Sequence, residues 1–300
     1  MTPAQIRAAL QKAQRDQKRA IDNYNREARK YNAAVKKSVN DYNREVRNYN
    51  SKARAHNRAV ENQRRRLQQE VSRLNSRPAS ATFVEYRTST TAFVDAYSRA
   101  EESLATNPGS AADQQFLDLG SDEAANSVYL ANALDGDGDP GDALTEDELR
   151  APSMRSELAY FGEDLVNRWV GALYALSPHN PDAARHFCTS AREVVITMLD
   201  TSAPDGEVKD AQPSCQLTES GAVTRRSKIE YLLGRHGATA AGITNIVSGD
   251  MDNLLSLFRT FNDGTHGHSG RFTITELSAI RIRVEAAIRF VHTVVALPAG

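Results

Sequence analysis

The stretch from Ala4 to Arg77 contains neither Pro nor Gly, which favours one long uninterrupted helix. A Tyr-Asn dipeptide recurs within it, with steps of 7, 11 and 7 residues between the tyrosines. The tyrosines are Tyr24, Tyr31, Tyr42 and Tyr49, and the apolar residues around them are Ile21, Ala28, Val35, Val39, Val46, Ala53 and Val60. Together with His56, the tyrosines and these apolar residues follow one another at spacings of three or four, so the pattern predicts a heptad seam with a four-residue stutter and hence a coiled-coil arm.

A straight helix of this length would reach about 100 Å, so its seam needs a partner helix. That partner is either a second copy of the chain or the same chain folded back as a hairpin. The first interpretation predicts a homo-oligomer, a dimer or higher, assembled through the arm.

Charge is divided unevenly along the chain. Residues 1–78 hold 20 Lys and Arg against 7 Asp and Glu, whereas residues 79–300 hold 17 basic and 31 acidic residues. A basic arm with interleaved tyrosines fits stacking and phosphate contact with nucleic acid. The same charges also fit a solvated helix face, and the two interpretations stay open.

The remaining composition excludes several classes of protein. Two cysteines are too few for a disulfide framework, and no run of eighteen apolar residues is present. No dinucleotide or nucleoside-triphosphate fingerprint occurs, and His186, Cys188 and Cys215 lack zinc spacing. We therefore expect a cytoplasmic protein with no membrane contact and no cofactor.

An acidic segment follows the arm, over residues 79–150, and reads as a helical middle or linker. Short helices are predicted over Thr91–Leu104 and Ser121–Leu134. The sequence DGDGDPGDALTE then places acids at four positions of an EF-hand calcium loop: Asp135, Asp137, Asp139 and Glu146. Pro140 stands where that loop needs Gly, so we predict an acidic solvated linker and only a weak candidate for a metal site.

Residues 151–300 carry the pattern of an α-bundle, with four main helices and one short helix. One apolar stripe runs from Leu158 to Leu176, and the last helix opens with a capping box of Thr273 and Glu276. An ion-pair ladder on the outer face of that helix is predicted from Arg281, Glu285 and Arg289. The chain is therefore predicted to be all-α, with an arm (1–78), an acidic middle (79–150) and a helical bundle (151–300).

The connection before the last helix, RTFNDGTHGHSGRF, is longer and more polar than a turn requires. A histidine can take the 2′-hydroxyl proton of RNA or protonate the leaving oxygen, and an arginine can stabilise charge on the phosphate. Arg259, Asn262, His266 and His268 are the candidates for such metal-free cleavage. The alternative is an ordinary helix cap whose histidines bond to the backbone.

Several segments of residues 155–297 resemble a known family. They are NPDAARHFCTSAREV, TRRSKIEYLL, FNDGTHGHSGRF and IRVEAAIRFV, and they resemble the predicted nuclease family named for its association with prokaryotic PIWI proteins. Arg259 and His266 also match the Arg-x4–6-His motif of HEPN ribonucleases, at its longest spacing. Two features depart from that motif, because Thr260 takes the polar position after the arginine and Gly264 interrupts the helix.

This resemblance implies a HEPN-like bundle and a metal-independent nuclease, an endoribonuclease acting as an effector of bacterial anti-phage defence. RNA or DNA would be its substrate, and a partner protein of the defence system is a further expectation. Candidate nucleic-acid contacts are the polar residues on two helices, namely Arg185, His186, Arg192, Arg225, Arg226 and Lys228. Two other functions stay open: a non-catalytic assembly or sensor subunit that uses the coiled coil, and a metal-dependent DNase.

Overall fold

The structure is a computed structural model that describes residues 2–78, 83–107, 109–238, 241–262 and 272–296, without the side chains of Asp142, Ala241 and Asn262. Eleven α-helices lie in these ranges, which contain no strand. They are α1 (Pro3–Ser76), α2 (Val84–Thr106), α3 (Ala111–Leu134), α4 (Glu146–Arg150), α5 (Arg155–Ala159), α6 (Glu163–Ala175), α7 (Ala183–Ser202), α8 (Asp205–Ala211), α9 (Arg225–Arg235), α10 (Ala241–Asn262) and α11 (Ile274–Ala296). The predicted all-α class and the long N-terminal helix are therefore confirmed. None of the described helices is long and apolar enough to cross a membrane.

The chain divides into two compact units, residues 1–59 and residues 60–300. In the first unit, the large apolar residues of the predicted seam (Ile21, Val35, Val39 and Val46) are exposed, whereas Ala28 and Ala53 are half-buried. Tyr24, Tyr31 and Tyr49 each expose more than two-thirds of their surface. In the second unit, Leu67 and Leu74 at the end of α1 are buried in the hydrophobic core. The side chain of Asn132 in α3 donates to the Glu70 carboxylate at 2.8 Å, which ties this part of α1 to the bundle.

Four helices form the centre of the second unit, with α10 against α2 and α11 against α3. Helices α7 and α9 pack against α10 and α11, and α6 packs on α7. One continuous core includes residues from α2 and α3 as well as from α6, α7, α10 and α11. Residues predicted as an acidic middle supply two of its central helices.

Several helix ends differ from the predicted ones. The stripe from Leu158 to Leu176 is divided between α5 and α6, because Gly162 has φ of +125°, a conformation that ends one helix and that L side chains rarely adopt. Both α2 and α3 are longer than predicted, because tertiary packing extends helices beyond their strongly periodic centres. The capping box at the start of α11 is confirmed, with Thr273 and Glu276 bonding reciprocally.

The prediction that Arg281, Glu285 and Arg289 form an outer ladder is only half right. The spacing does produce the ion pairs, with Arg281 2.7 Å and Arg289 3.3 Å from the Glu285 carboxylate. Arg281 and Glu285 are nevertheless buried, because α4 and the segment after it cover this face. Arg281 donates hydrogen bonds there to the carbonyl oxygens of Glu148 and Ala151.

Candidate functional site

Arg259 lies on the last turn of α10, at one end of the bundle. Its Nε atom is 3.3 Å from a carboxylate oxygen of Glu85, on the first turn of α2. Both side chains are more than half exposed. An exposed ion pair of this kind contributes about 0–1 kcal/mol, so Glu85 orients the guanidinium without making it inaccessible to a phosphate.

An aromatic cluster fixes the backbone on both sides of residues 263–271. The ring of Phe261 is buried at the end of α10, and its centroid lies 6.3 Å from that of Phe83 and 5.3 Å from that of Phe272. The contact with Phe272 is edge-to-face, a favourable aromatic geometry. The end of α10 and the start of α11 are therefore held together, next to Arg259.

Of the remaining predicted catalytic residues, the structure describes only the backbone of Asn262. His266 and His268 lie outside the described residues, and so does the side chain of Asn262. Arg259 lies on α10, which the structure describes as far as Asn262. The distance between the arginine and the histidine therefore stays a prediction.

A buried charged cluster at the centre of the bundle was missed by the sequence analysis. Arg283 of α11 is fully buried and donates to Glu123 of α3 at 2.8 Å and to Asp250 of α10 at 2.5 Å. It also donates to the side-chain oxygen of Asn253 at 3.2 Å, while Asn253 itself donates to Thr90 of α2 at 3.0 Å. All four central helices thus meet in one polar network.

The protonation equilibria of this cluster are shifted by its burial. Burial, and then the charge of Asp250, raise the pKa of Glu123 well above its usual range, and burial also raises the pKa of Asp250. Tyr86, beside the cluster, has its pKa raised to about 12 by burial. One arginine faces two carboxyl groups here, so these shifts reduce the unbalanced negative charge. The cluster has no exposure to a substrate and holds the bundle together.

The sequence did contain a signal for Arg283. It stands three residues after Ile280 and four before Ala287, so apolar residues lie one turn away from it on both sides. A charged residue with apolar neighbours of this kind can be buried, and a buried charge requires a partner. The partners themselves lie 160 and 33 residues away in the sequence, so no local pattern identifies them.

The candidate nucleic-acid contacts on α9 separate into two groups. Lys228 is buried, and its ammonium group lies 2.7 Å from Asp200 and 2.8 Å from Asp205. It connects the end of α7 with α8 and α9, which leaves no exposed charge for a phosphate. Arg225 and Arg226 are exposed, although Arg226 also pairs with Glu230 at 3.0 Å.

The candidates on α7 are on its solvent-facing side. Arg185 and His186 are both exposed and lie 3.7 and 3.4 Å from one carboxylate oxygen of Asp182, just before the helix. Arg192 is exposed two turns further along the same helix. These three side chains are therefore accessible from solution.

The acidic residues of the weak metal-site candidate have other partners. Asp135 pairs with Arg87 and Asp137 with Arg77, both at 2.9 Å, whereas Asp139 accepts a hydrogen bond from the Gly141 amide. Glu146 lies 3.6 Å from Arg150, on α4. Within the described part of the chain, no group of three His, Cys, Asp or Glu side chains could hold a metal ion.

Cys188 is buried, and burial raises the pKa of its thiol.

Comparison with protein families places part of the chain in a known family of predicted nucleases. Residues 158–291 match the family model described as a predicted pPIWI-associating nuclease. The resemblance stated from the sequence is therefore confirmed. The matched nuclease segment runs from α5 to α11 and includes Arg259 and His266, but it excludes α1, α2 and α3. Glu85 and Glu123, which contact Arg259 and Arg283, therefore lie outside it. No curated protein and no solved structure matches the chain.

Proposed function

We propose that this protein is a cytoplasmic endoribonuclease that needs no metal ion and acts as an effector of bacterial anti-phage defence. The nuclease class is supported by one observation above all, which is the family match over residues 158–291. That match encloses both Arg259 and His266. RNA as the substrate and the defence role rest on the resemblance and on the chemistry of these two residues.

In this proposal, His266 takes the 2′-hydroxyl proton or protonates the leaving oxygen, and Arg259 stabilises the charge that develops on the phosphate. A phosphate can form two parallel hydrogen bonds with a guanidinium, so it would displace the single contact from Glu85. Asn262 and His268 are proposed as polar helpers beside the scissile bond.

The substrate backbone would approach over the exposed basic residues Arg185, His186, Arg192, Arg225 and Arg226. Lys228, although it was among the candidates, is omitted because its charge is buried between two carboxylates. The arm is proposed to join two or more copies of the chain, and a defence-system protein is a further proposed partner.

Labelled RNA and labelled DNA, each incubated with and without EDTA, test the class of reaction. We expect RNA to be cut equally with and without the chelator. Arg259→Ala and His266→Ala should each lower the cleavage rate by about 10²–10⁴-fold, the usual contribution of one such group. If DNA is cut without EDTA and is not cut in its presence, the metal-dependent DNase replaces the proposal.

Matched variants separate lost chemistry from lost stability. Arg168→Ala removes an arginine with nearly the same exposure as Arg259 (48% against 52%) from a similar surface ion pair. His179→Ala removes an exposed histidine from the connection between α6 and α7. Both controls should keep full activity, and all four variants should melt near the native temperature. Full activity in His266→Ala would contradict the catalytic role.

A non-catalytic assembly subunit is the second candidate, favoured by the exposed apolar seam of α1. It predicts self-association without any cleavage of RNA or DNA. The same incubation, read together with sedimentation of the full chain, distinguishes it from the nuclease.

A further inference from the structure

One face of α1 in residues 1–59 carries a continuous row of positive charge. This unit holds 15 Lys and Arg against five Asp and Glu. Starting at Gln11 and ending at Arg58, fourteen positions follow one another at spacings of three or four residues, and nine of them are basic while one is acidic. The nine residues, here called the cationic stripe, are Arg15, Lys18, Arg26, Arg29, Lys36, Arg44, Arg47, Arg54 and Arg58.

The cationic stripe is straight. An α-helix turns by about 100° and rises by about 1.5 Å per residue, so the fourteen positions stay within a sector of about 80° over a length of about 70 Å. All nine basic side chains are exposed. Ion pairs in this segment join Arg44 to Asp41 and, off the stripe, Lys30 to Glu27.

An internal repeat explains why the stripe does not drift around the helix. Residues 24–32 (YNREARKYN) and 42–50 (YNREVRNYN) are identical at seven of nine positions and are 18 residues apart. Eighteen residues complete five turns of an α-helix, so each repeat presents the same side chains in the same direction. The tyrosines of the repeat lie nearly opposite the stripe, about 170° around the helix. A partner helix on the tyrosine side would therefore leave the stripe exposed.

From this geometry we infer that the cationic stripe is a binding surface for the phosphate backbone of a nucleic-acid duplex. Seven of its nine residues are arginine, whose planar guanidinium matches the oxygens of a phosphate. A straight row of like charge, without apolar pockets between the charges, suits a regular polyanion and gives no means of reading a sequence.

A membrane surface fits this arm less well. Helices that lie in a bilayer interface bury Trp, Phe and Leu on their apolar face. Between Leu10 and Leu67 the chain has no Leu, Phe or Trp, and each tyrosine of the seam is followed by Asn. The apolar face is therefore too polar for stable insertion.

The inference does not rest on the proposed catalytic site, because the stripe lies outside residues 158–291. The test uses the full chain and a duplex of about 20 base pairs, which spans the length of the stripe. One duplex is DNA and the other is 2′-O-methyl RNA, which lacks the hydroxyl that a ribonuclease would use. Binding is measured by fluorescence anisotropy between about 50 and 200 mM salt. Cleavage of unmodified RNA is measured separately, so failure of binding and failure of catalysis are distinguishable.

The critical variant combines Lys18→Gln, Lys36→Gln and Arg54→Gln, which are 18 residues apart on one line of the stripe. Its matched control combines Lys12→Gln, Lys30→Gln and Lys52→Gln, which remove the same charge from the same helix outside the stripe. Gln is a good helix former, and circular dichroism verifies the helix in both.

The stripe variant should lose roughly 100-fold or more in duplex affinity at moderate salt, with a salt slope smaller by about 3, because each phosphate contact contributes about 0.9. The affinity of the control for the duplex should fall by less than about 10-fold. Equal losses in the two variants would overturn the inference, since they would indicate a general effect of net charge. Equal competition by polyglutamate at the same charge concentration would also overturn it. The inference would also be overturned if the stripe variant lost binding to phosphatidylserine vesicles while its duplex binding stayed unchanged.

Discussion

Replacing Arg283 by Met should destabilise the protein severely, because the variant keeps two buried carboxyl groups and removes their cation. The side chain of Arg283 is completely buried, and Glu123 and Asp250 are almost completely buried around it. Met fills a similar volume, so the cavity contribution is small. Removing one partner from a buried ion pair costs about 3–5 kcal/mol, and this is the loss of unfolding free energy that we expect.

The loss should grow with pH. A carboxyl whose pKa is raised by folding binds its proton more tightly in the folded than in the unfolded chain, so the unfolding free energy falls as pH rises above the ordinary carboxyl range. Burial raises the pKa of Glu123 and of Asp250 even with Arg283 in place. Without the arginine both pKa values rise further, so the variant should suffer more near pH 8 than near pH 5.

Urea denaturation of the full chain near pH 5 and pH 8 measures this effect. Arg289→Met is the control, because Arg289 lies on the same helix and pairs with Glu285 while 52% exposed. It should change the unfolding free energy by at most about 1 kcal/mol. If Arg283→Met loses no more than this control at either pH, the reasoning about the buried cluster is refuted.

Three further predictions follow from other parts of the molecule. The full chain should sediment as an oligomer whose mass rises with concentration, because the large apolar residues of the α1 seam are exposed in a single copy. The double variant Val35→Asp with Val46→Asp should abolish the association, and a native chain that is monomeric at all concentrations would contradict this. Calorimetry should detect no calcium binding tighter than roughly millimolar, because Asp135 and Asp137 are paired with arginines, and micromolar binding that Asp137→Ala removes would prove this wrong. A thiol reagent should modify Cys215 in the folded protein and Cys188 only after unfolding, since Cys188 is buried and its thiol pKa is raised; rapid reaction of both thiols would disagree with the structure.

Local patterns were sufficient for the helical class, the long N-terminal helix and the capping box of α11. Each depends on residues within one or two helical turns of each other, such as Thr273 and Glu276, and short-range hydrogen bonds act in any tertiary context. Arg259 was also identified as a candidate from a local pattern, namely its spacing from His266 in the Arg-x4–6-His motif. Its pairing with Glu85 was not predictable, because the two residues are far apart in the chain.

Tertiary structure alone decided which charges are buried. Arg281 and Glu285 have the spacing of a surface ladder, yet α4 covers them. Lys228 was predicted to bind phosphate from its sequence, but in the structure it is buried and paired with Asp200 and Asp205. The acidic residues 79–150 resemble a linker in composition, yet α2 and α3 supply central helices of the core. Composition and periodicity show which side chains one helix presents to its surroundings. They do not show which other helix packs on that face, because this depends on the free energy of burying distant segments against each other, and that free energy determines whether a charge stays in solvent or becomes part of the core.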